Sequence, residues 1–441
     1  MTEGKISKAI IFFALPLFLG QLFQQLYNVV DSLVVGNVVG EVALAAVTST
    51  GSIIFLILGF LRGVFIGSSV IISQYFGAKD DKNVRIAIHT TIAVSFIAGL
   101  LVVALGVIGT PYFLVWTGTP DNVLPTATTY LRTYFFGGLF TVIYNACVGI
   151  FQAVGDSRRP LYYLIVASIV NVVLDIVFVV YMDMGVQGAA LATVIAQGVS
   201  AVLAFTKLMR VDGPHRLRIK EIGINKATVL KVLNMGIPTG VQNSVISFAN
   251  VIMQANINMF GSAAMAGNGA YSKIEGFAFL PIMSFSMALT TFVGQNLGAK
   301  EYDRVRKGAK FGLVSGIILA QITGIVIWTL APVLISMFSD TPEVIAIGVE
   351  RARIISLFYF LLSASHLLSG ILRGLGKTKV PMYVMLVAWC LIRITYATVT
   401  LRFIPDIRVV FWAYPLTWAI STIAFIWYYK SHSNIESIQI A

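Results

Sequence analysis

Charge is what this chain lacks. Charged residues fill 11% of its 441 positions against 57% hydrophobic, and mean hydropathy is +0.86. A soluble domain carries about 25% charged residues, so this chain cannot cover a water-facing surface and reads as an all-α, polytopic membrane protein. Cysteine is scarce as well. Cys147 and Cys390 both fall in apolar runs, which excludes a disulfide framework or a thiolate metal cluster and leaves them as packing residues. The histidines His89, His215, His366 and His432 are scattered, and neither HExxH nor GxSxG occurs. GLGKT at 374–378 lacks the earlier glycine of a phosphate-binding loop, because Ile371 stands there. These absences argue against an enzyme, a resident cofactor and an ATP-driven pump. The net charge of +12 would suit nucleic acid, but basic residues also gather in the cytoplasmic loops of membrane proteins. The second origin is expected, with the lipid bilayer and no nucleic acid as partner.

What is present is a set of long apolar runs. A membrane helix needs about 20 mostly apolar residues. Twelve runs qualify, near 9–36, 44–74, 86–109, 127–154, 160–181, 187–209, 228–258, 265–297, 308–330, 343–374, 381–401 and 409–430. The first follows basic residues, as a signal peptide would. It continues past Val35 without an A-x-A-like site, so it reads as an uncleaved first span. Lys and Arg fix the orientation. With the first residue inside, 23 of the 31 fall on one side, the largest group being Lys207 to Lys231, and the opposite loops hold only Arg402 and Arg408. Both termini are expected in the cytoplasm.

The chain also repeats itself. GAKDDKNVR at 77–85 returns as GAKEYDRVR at 298–306, and the same offset of 221 pairs Gly149 with Gly370, Pro160 with Pro381 and Tyr162 with Tyr383. Two homologous six-helix bundles follow. Six is even, so both bundles have one orientation and a pseudo-two-fold axis runs along the membrane normal. The boundaries read as 1–210 for the N-terminal lobe, 211–227 for a cytoplasmic linker and 228–441 for the C-terminal lobe. Gly59, Gly63 and Gly67 form a small-xxx-small series suited to close helix packing.

Acids are rare in the spans. Of 19 Asp and Glu, only Asp31, Asp175 and Glu275 sit well inside one. A central Asp costs roughly 2.5–3.5 kcal/mol to insert, and such residues usually serve function. Asp175 lies about 12 Å inside the outer end of the fifth span and Asp31 about 11 Å inside that of the first, at 1.5 Å per residue. Thr193 enters the sixth span at a similar depth, and Asn171 shares the face of Asp175 one turn deeper. Asp31, Asn171, Asp175 and Thr193 can therefore meet in the outer half of the first bundle. At the repeat offset they become Ile252, Ile392, Tyr396 and Tyr414, so the task is performed once. Two carboxylates in a poorly solvated pocket repel, and burial penalises charge further. Such a pair takes up a proton near neutral pH or shares a Na⁺ between Asp31 and Asp175. Glu275 has Lys273 two residues away, which does not face it on a helix. It is either a substrate or ion group or the partner of a polar group on a neighbour. His366 reads as a packed polar residue.

The pattern from Pro16 through Gln21, Gln24, Tyr27, Asp31, Gly36 and Gly40 to Ala45 and Ala46 resembles multidrug and toxic compound extrusion (MATE) transporters. So do Gln295–Lys300 and Arg373–Thr378. The resemblance covers nearly the whole chain and implies a cation-coupled exporter with a V-shaped cavity between two six-helix lobes. In the DinF-like branch the cation site is formed by an Asp on the first helix, Asn-x3-Asp on the fifth and Thr on the sixth, which Asp31, Asn171, Asp175 and Thr193 match. The NorM-like branch has instead an Asp on the tenth helix, where Leu362 stands here. The resemblance further implies a proton-linked hinge at Pro16, where a proline kinks a helix. It implies a substrate cavity with Gln24 and Asn145, to which Tyr27 and Glu275 are added as polar wall groups.

The function expected is antiport. Amphipathic, mostly cationic drugs or toxins leave by alternating access, driven by H⁺ or Na⁺ entering at Asp31 and Asp175, in the cytoplasmic (inner) membrane of a prokaryote, with the protein acting as a monomer. A flippase for lipid-linked or polysaccharide substrates is the alternative within the same superfamily. The major facilitator fold has parallel repeats too, but its G-x3-D-R-x-G-R/K loop is absent.

Overall fold

The computed structural model describes residues 1–431, without the side chains of Ser32, Leu33, Asn37, Glu41, Thr48 and Ser52; His432 and the remaining tail lie outside the described residues. Apolar runs too long for a strand become helices, and among the described residues there is no strand. The first half contains α1 (Ile6–Val34), α2 (Glu41–Gly77), α3 (Asp81–Trp116), α4 (Leu124–Phe136), α5 (Gly138–Ala153), α6 (Arg158–Asp175) and α7 (Gly185–Arg210). The second contains α8 (Lys226–Asn258), α9 (Ser262–Gly298), α10 (Tyr302–Ser336), α11 (Pro342–Ser356), α12 (Tyr359–Gly374), α13 (Lys379–Met385), α14 (Arg393–Phe403) and α15 (Ile407–Ser431).

Nine helices, with α13 and α14 counted as one, are long and apolar enough to cross a bilayer, and the bent pairs α4–α5 and α11–α12 bring the described total to eleven. At 33 residues α8 is long enough to cross but, being richer in Asn and Gln, falls outside that count; the sequence repeat makes it the twelfth span. It stands where α1 stands in the first half. The bends are 49° and 54°. They fall at Gly137 and at Leu357–Phe358, where the sequence runs predicted one continuous span each. Pairing α4 with α5 and α11 with α12 gives six spans per half, as the repeat requires. The repeat extends to the backbone: Lys79 and Lys300, equivalent residues after α2 and α9, both adopt left-handed φ of 54° and 60°. Asp80 then caps α3, its side chain accepting from Asn83 N–H at 3.1 Å.

Packing divides the chain into two units, and the cut does not follow the linker. One unit is Leu19–Gly240; the other joins Met1–Phe18 to Val241 onward. Two helices therefore change units midway. Ile10, Phe13, Ala14 and Leu17 of α1 pack into the core of the C-terminal unit with residues such as Met253, Tyr271 and Phe292. The first half of α8 packs in the N-terminal unit. Pro16 and Pro238 each lie two residues before the crossing in their helix. A proline inside a helix removes one ladder hydrogen bond, so both crossings coincide with a weakened turn.

Within the N-terminal unit, α2 meets the start of α8 through glycines. A Cβ on Gly63 would lie 2.3 Å from Gly240 N, and one on Gly67 2.4 Å from Gly236 N. Gly59 does not share this contact, since its Cβ would meet only its own Phe55 ring, 3.8 Å away. The linker is tied down as well. Arg218 N–H donates to His89 Nε2 at 3.0 Å, so His89 carries its proton on Nδ1 and donates to Arg85 O at 2.6 Å. Glu221 forms a two-bond ion pair with Arg85.

Candidate functional site

The acids of the N-terminal unit sit beside irregular helix. Asp175 ends α6, and the chain continues through Ile176–Tyr181 in wide i→i+5 turns; Asp31 lies one turn before a similar stretch, Val35–Val39. Such wide turns occur frequently at functional sites because they free backbone groups and re-aim side chains. Asp31, Asn171, Asp175 and Thr193 are all buried, at 7%, 1%, 1% and 4% exposure.

These four side chains come together. The Asp31 and Asp175 carboxyls lie next to each other. Asn171, with its amide oriented by its neighbours, donates to Asp175 Oδ2 at 3.0 Å and accepts from Thr193 N–H at 3.2 Å. Thr193 Oγ1 donates to Ala189 O at 3.1 Å, which fixes its rotamer. Tyr27, one turn before Asp31, places its hydroxyl beside Thr193. One oxygen of each carboxyl, Asp31 Oδ1 and Asp175 Oδ1, has no hydrogen-bond partner among the described residues. A buried polar atom without a partner is uncommon and marks strain or a ligand. The donor set is all oxygen, so it suits a proton or a hard monovalent cation.

Two tyrosines complete the surroundings, and the sequence reading did not include them. Tyr130 and Tyr134 of α4 stack with centroids 6.4 Å apart, and both lie near Asp31. Their spacing of four residues put them on one helix face, but an aromatic in an apolar helix is ordinarily core.

Gln24, Tyr27 and Asp31 follow the i, i+3, i+7 spacing of one face of α1. Gln24 is partly buried. Asn145 is not drawn to the acids; its Nδ2 donates to Thr141 O at 2.8 Å within α5. Pro16 lies in the part of α1 that packs with the C-terminal unit.

Glu275 lies in the C-terminal unit, apart from this cluster. It pairs with Arg351 Nη2 at 3.5 Å. Arg351 Nη1 also donates to Asn268 O at 3.2 Å, to Ser272 Oγ at 3.1 Å and to Asn268 Oδ1. Arg393, at the start of α14, donates from Nε and Nη2 to Thr417 Oγ1 at 3.0 and 2.8 Å. Neither arginine was singled out from the sequence. His366 is wedged between Phe279 and Trp389, at centroid distances of 4.9 and 5.2 Å, which is the packed role expected of it.

A model of the MatE family matches residues 16–177 and again 238–399, once in each half. The probable multidrug resistance protein YoeA of Bacillus subtilis is 26% identical over 438 residues, 97% of this chain and 94% of its own. The probable multidrug resistance protein NorM of Thermotoga maritima is 26% identical over 405 residues, 90% of this chain and 86% of its own. A solved MOP superfamily transporter from Pyrococcus furiosus superposes with a TM-score of 0.92 at 19% identity, covering 98% of this chain and 97% of that one. That likeness carries the fold.

Proposed function

The chain belongs to the MatE family of membrane transporters, and from that premise we propose that it exports amphipathic, mostly cationic small molecules in exchange for an inward cation. The observation that carries this reading is the contact between Asp31 and Asp175. Two carboxyls held together away from water cannot both stay ionised without something positive between them. A shared proton fits the contact with least rearrangement. A Na⁺ would use the same oxygens, with the two unpartnered Oδ1 atoms turned toward it. The position of the pair in the N-terminal unit supports the DinF-like branch as part of this reading. The multidrug resistance names of YoeA and NorM support the class of cargo. Coupling requires that cation and cargo each bind the two access states with different affinity. The acid pair supplies that difference for the cation if its contact opens as the states exchange.

The test is efflux of a cationic dye from membrane vesicles with an imposed pH or Na⁺ gradient. Asp31→Asn and Asp175→Asn each keep the shape of the site and lose the titrating oxygen. Efflux is expected to fall to the background of vesicles without the protein, while both variants elute as monodisperse protein. Full gradient-driven efflux by both would sink the reading. The gradient that drives the wild type identifies the ion.

A further inference from the structure

The C-terminal unit buries positive charge where the N-terminal unit buries negative. Arg351 of α11 and Arg393 of α14 are 3% and 1% exposed. Both guanidiniums lie over the ring of Tyr414, at 5.5 and 4.5 Å from its centroid. Tyr414 occupies the repeat position of Thr193, and Arg393 stands one residue past that of Asn171. Arg393 also follows directly on Leu386–Ile392, wide-turned like the stretch after Asp175. The same place in the repeat is thus built with the opposite sign.

The charges there do not balance. Glu275 is the acid that faces both arginines, and it is within ion-pair distance of Arg351 alone among the described residues. Arg393 has its Nε and Nη2 converging on one neutral hydroxyl and its face on Trp389, 4.8 Å away. Arg351 Nε has no hydrogen-bond partner among the described residues. Stacking on aromatic rings offsets only part of the cost of an unpaired buried ion. A purely structural arginine would be expected to have its donors filled, as Arg351 Nη1 has.

We infer that Arg351 and Arg393 form a receptor for one anionic group, a carboxylate or a phosphate. Guanidinium forks match the planar or tetrahedral oxygens of such groups. Glu275, whose side chain is 22% exposed, is the internal anion with which an incoming acid competes. The anion can be free in solution or be the acid group of an amphipathic cargo. In the second case the site extends the cargo class to acidic and zwitterionic molecules, and that extension rests on the export reading above.

Trp389, against Arg393, supplies a spectroscopic signal. The full chain in detergent, at constant ionic strength, is titrated with inorganic phosphate and separately with phenyl phosphate while tryptophan fluorescence is followed. A saturable change is expected for the wild type. Arg393→Gln is expected to weaken it at least tenfold. Glu275→Gln keeps every basic group and removes the competitor, so it is expected to tighten binding at least threefold. This second variant tests the site even if Arg393→Gln fails to fold. Lys273→Gln removes an exposed charge on α9 and is expected to change nothing. Phenyl phosphate binding at least tenfold tighter than phosphate assigns the group to a cargo, and equal affinity assigns it to the free anion. No saturable signal in either the wild type or Glu275→Gln overturns the receptor, as does equal weakening by Lys273→Gln and Arg393→Gln. Because binding is read without a gradient, failure of coupled efflux leaves this result standing on its own.

Discussion

A single amide decides how the two acids of the N-terminal unit are held. Asn171 bridges Asp175 and the backbone of Thr193, and a hydrogen bond to a charged group is worth roughly 1.5–3 kcal/mol net. Every 1.4 kcal/mol is about tenfold in an equilibrium. Asn171→Leu leaves both carboxyls in place but takes away that donor, so gradient-driven dye efflux is expected to fall about tenfold, short of the complete loss at Asp175→Asn. An efflux rate within twofold of wild type would remove Asn171 from the site. Asp31, Asn171, Asp175 and Thr193 were legible because an acid inside a span has few innocent explanations and helix geometry gave its depth. Arg351 and Arg393 were not. Cations report sidedness where they gather in loops, and a lone one within a span carries no such signal. Arg393 sits in LIRITYATV, where nothing local distinguishes a buried arginine from one whose stem reaches toward the interface.

At the scale of elements, spans could be read and their irregularities could not. Hydropathy over about 20 residues finds a helix whether or not its turns are regular. Hence the wide turns after Asp31 and Asp175 and the bends at Gly137 and Phe358 left no mark. The linker was legible as basic and polar, yet its attachment was hidden. Glu221 is held below the usual glutamate range, first by its hydrogen bonds from Arg85 and then by the charges of Arg85 and Arg218. A carboxyl with a lowered folded value contributes stability above its unfolded value and loses it as pH falls through the folded one. The clasp is therefore complete at neutral pH and released only under acid conditions below the ordinary glutamate range. Arg85→Gln is expected to release it at neutral pH. The readout is limited trypsin digestion: cleavage after Arg216, Arg218 or Lys220 should speed up severalfold over wild type at pH 8. Unchanged cleavage would mean that the Arg218 N–H to His89 bond holds the segment alone.

For the whole molecule, the repeat was the most informative signal, because one offset held across distant segments and fixed the number of spans, the two bundles and their parallel orientation together. It did not reveal where packing divides. α1 and α8 each give their first half to one unit and the rest to the other, an exchange that periodicity cannot encode. The basic loops predict an orientation in the bilayer that is open to direct measurement. Cys147 and Cys390 are the two native thiols, so replacing them with Ala and Ser leaves a background for single cysteines. Asp121, after α3, and Asp340, after α10, are exposed and lie in corresponding loops of the two halves; Lys220 and Lys300 are exposed on the basic loops. With an impermeant maleimide, Asp121→Cys and Asp340→Cys are expected to label in intact cells, and Lys220→Cys and Lys300→Cys only after permeabilisation. Parallel bundles put the first two on the same face, whereas inverted repeats would put them on opposite faces. Labelling of Asp121→Cys without Asp340→Cys would therefore contradict both the parallel symmetry and the rule that basic loops stay inside.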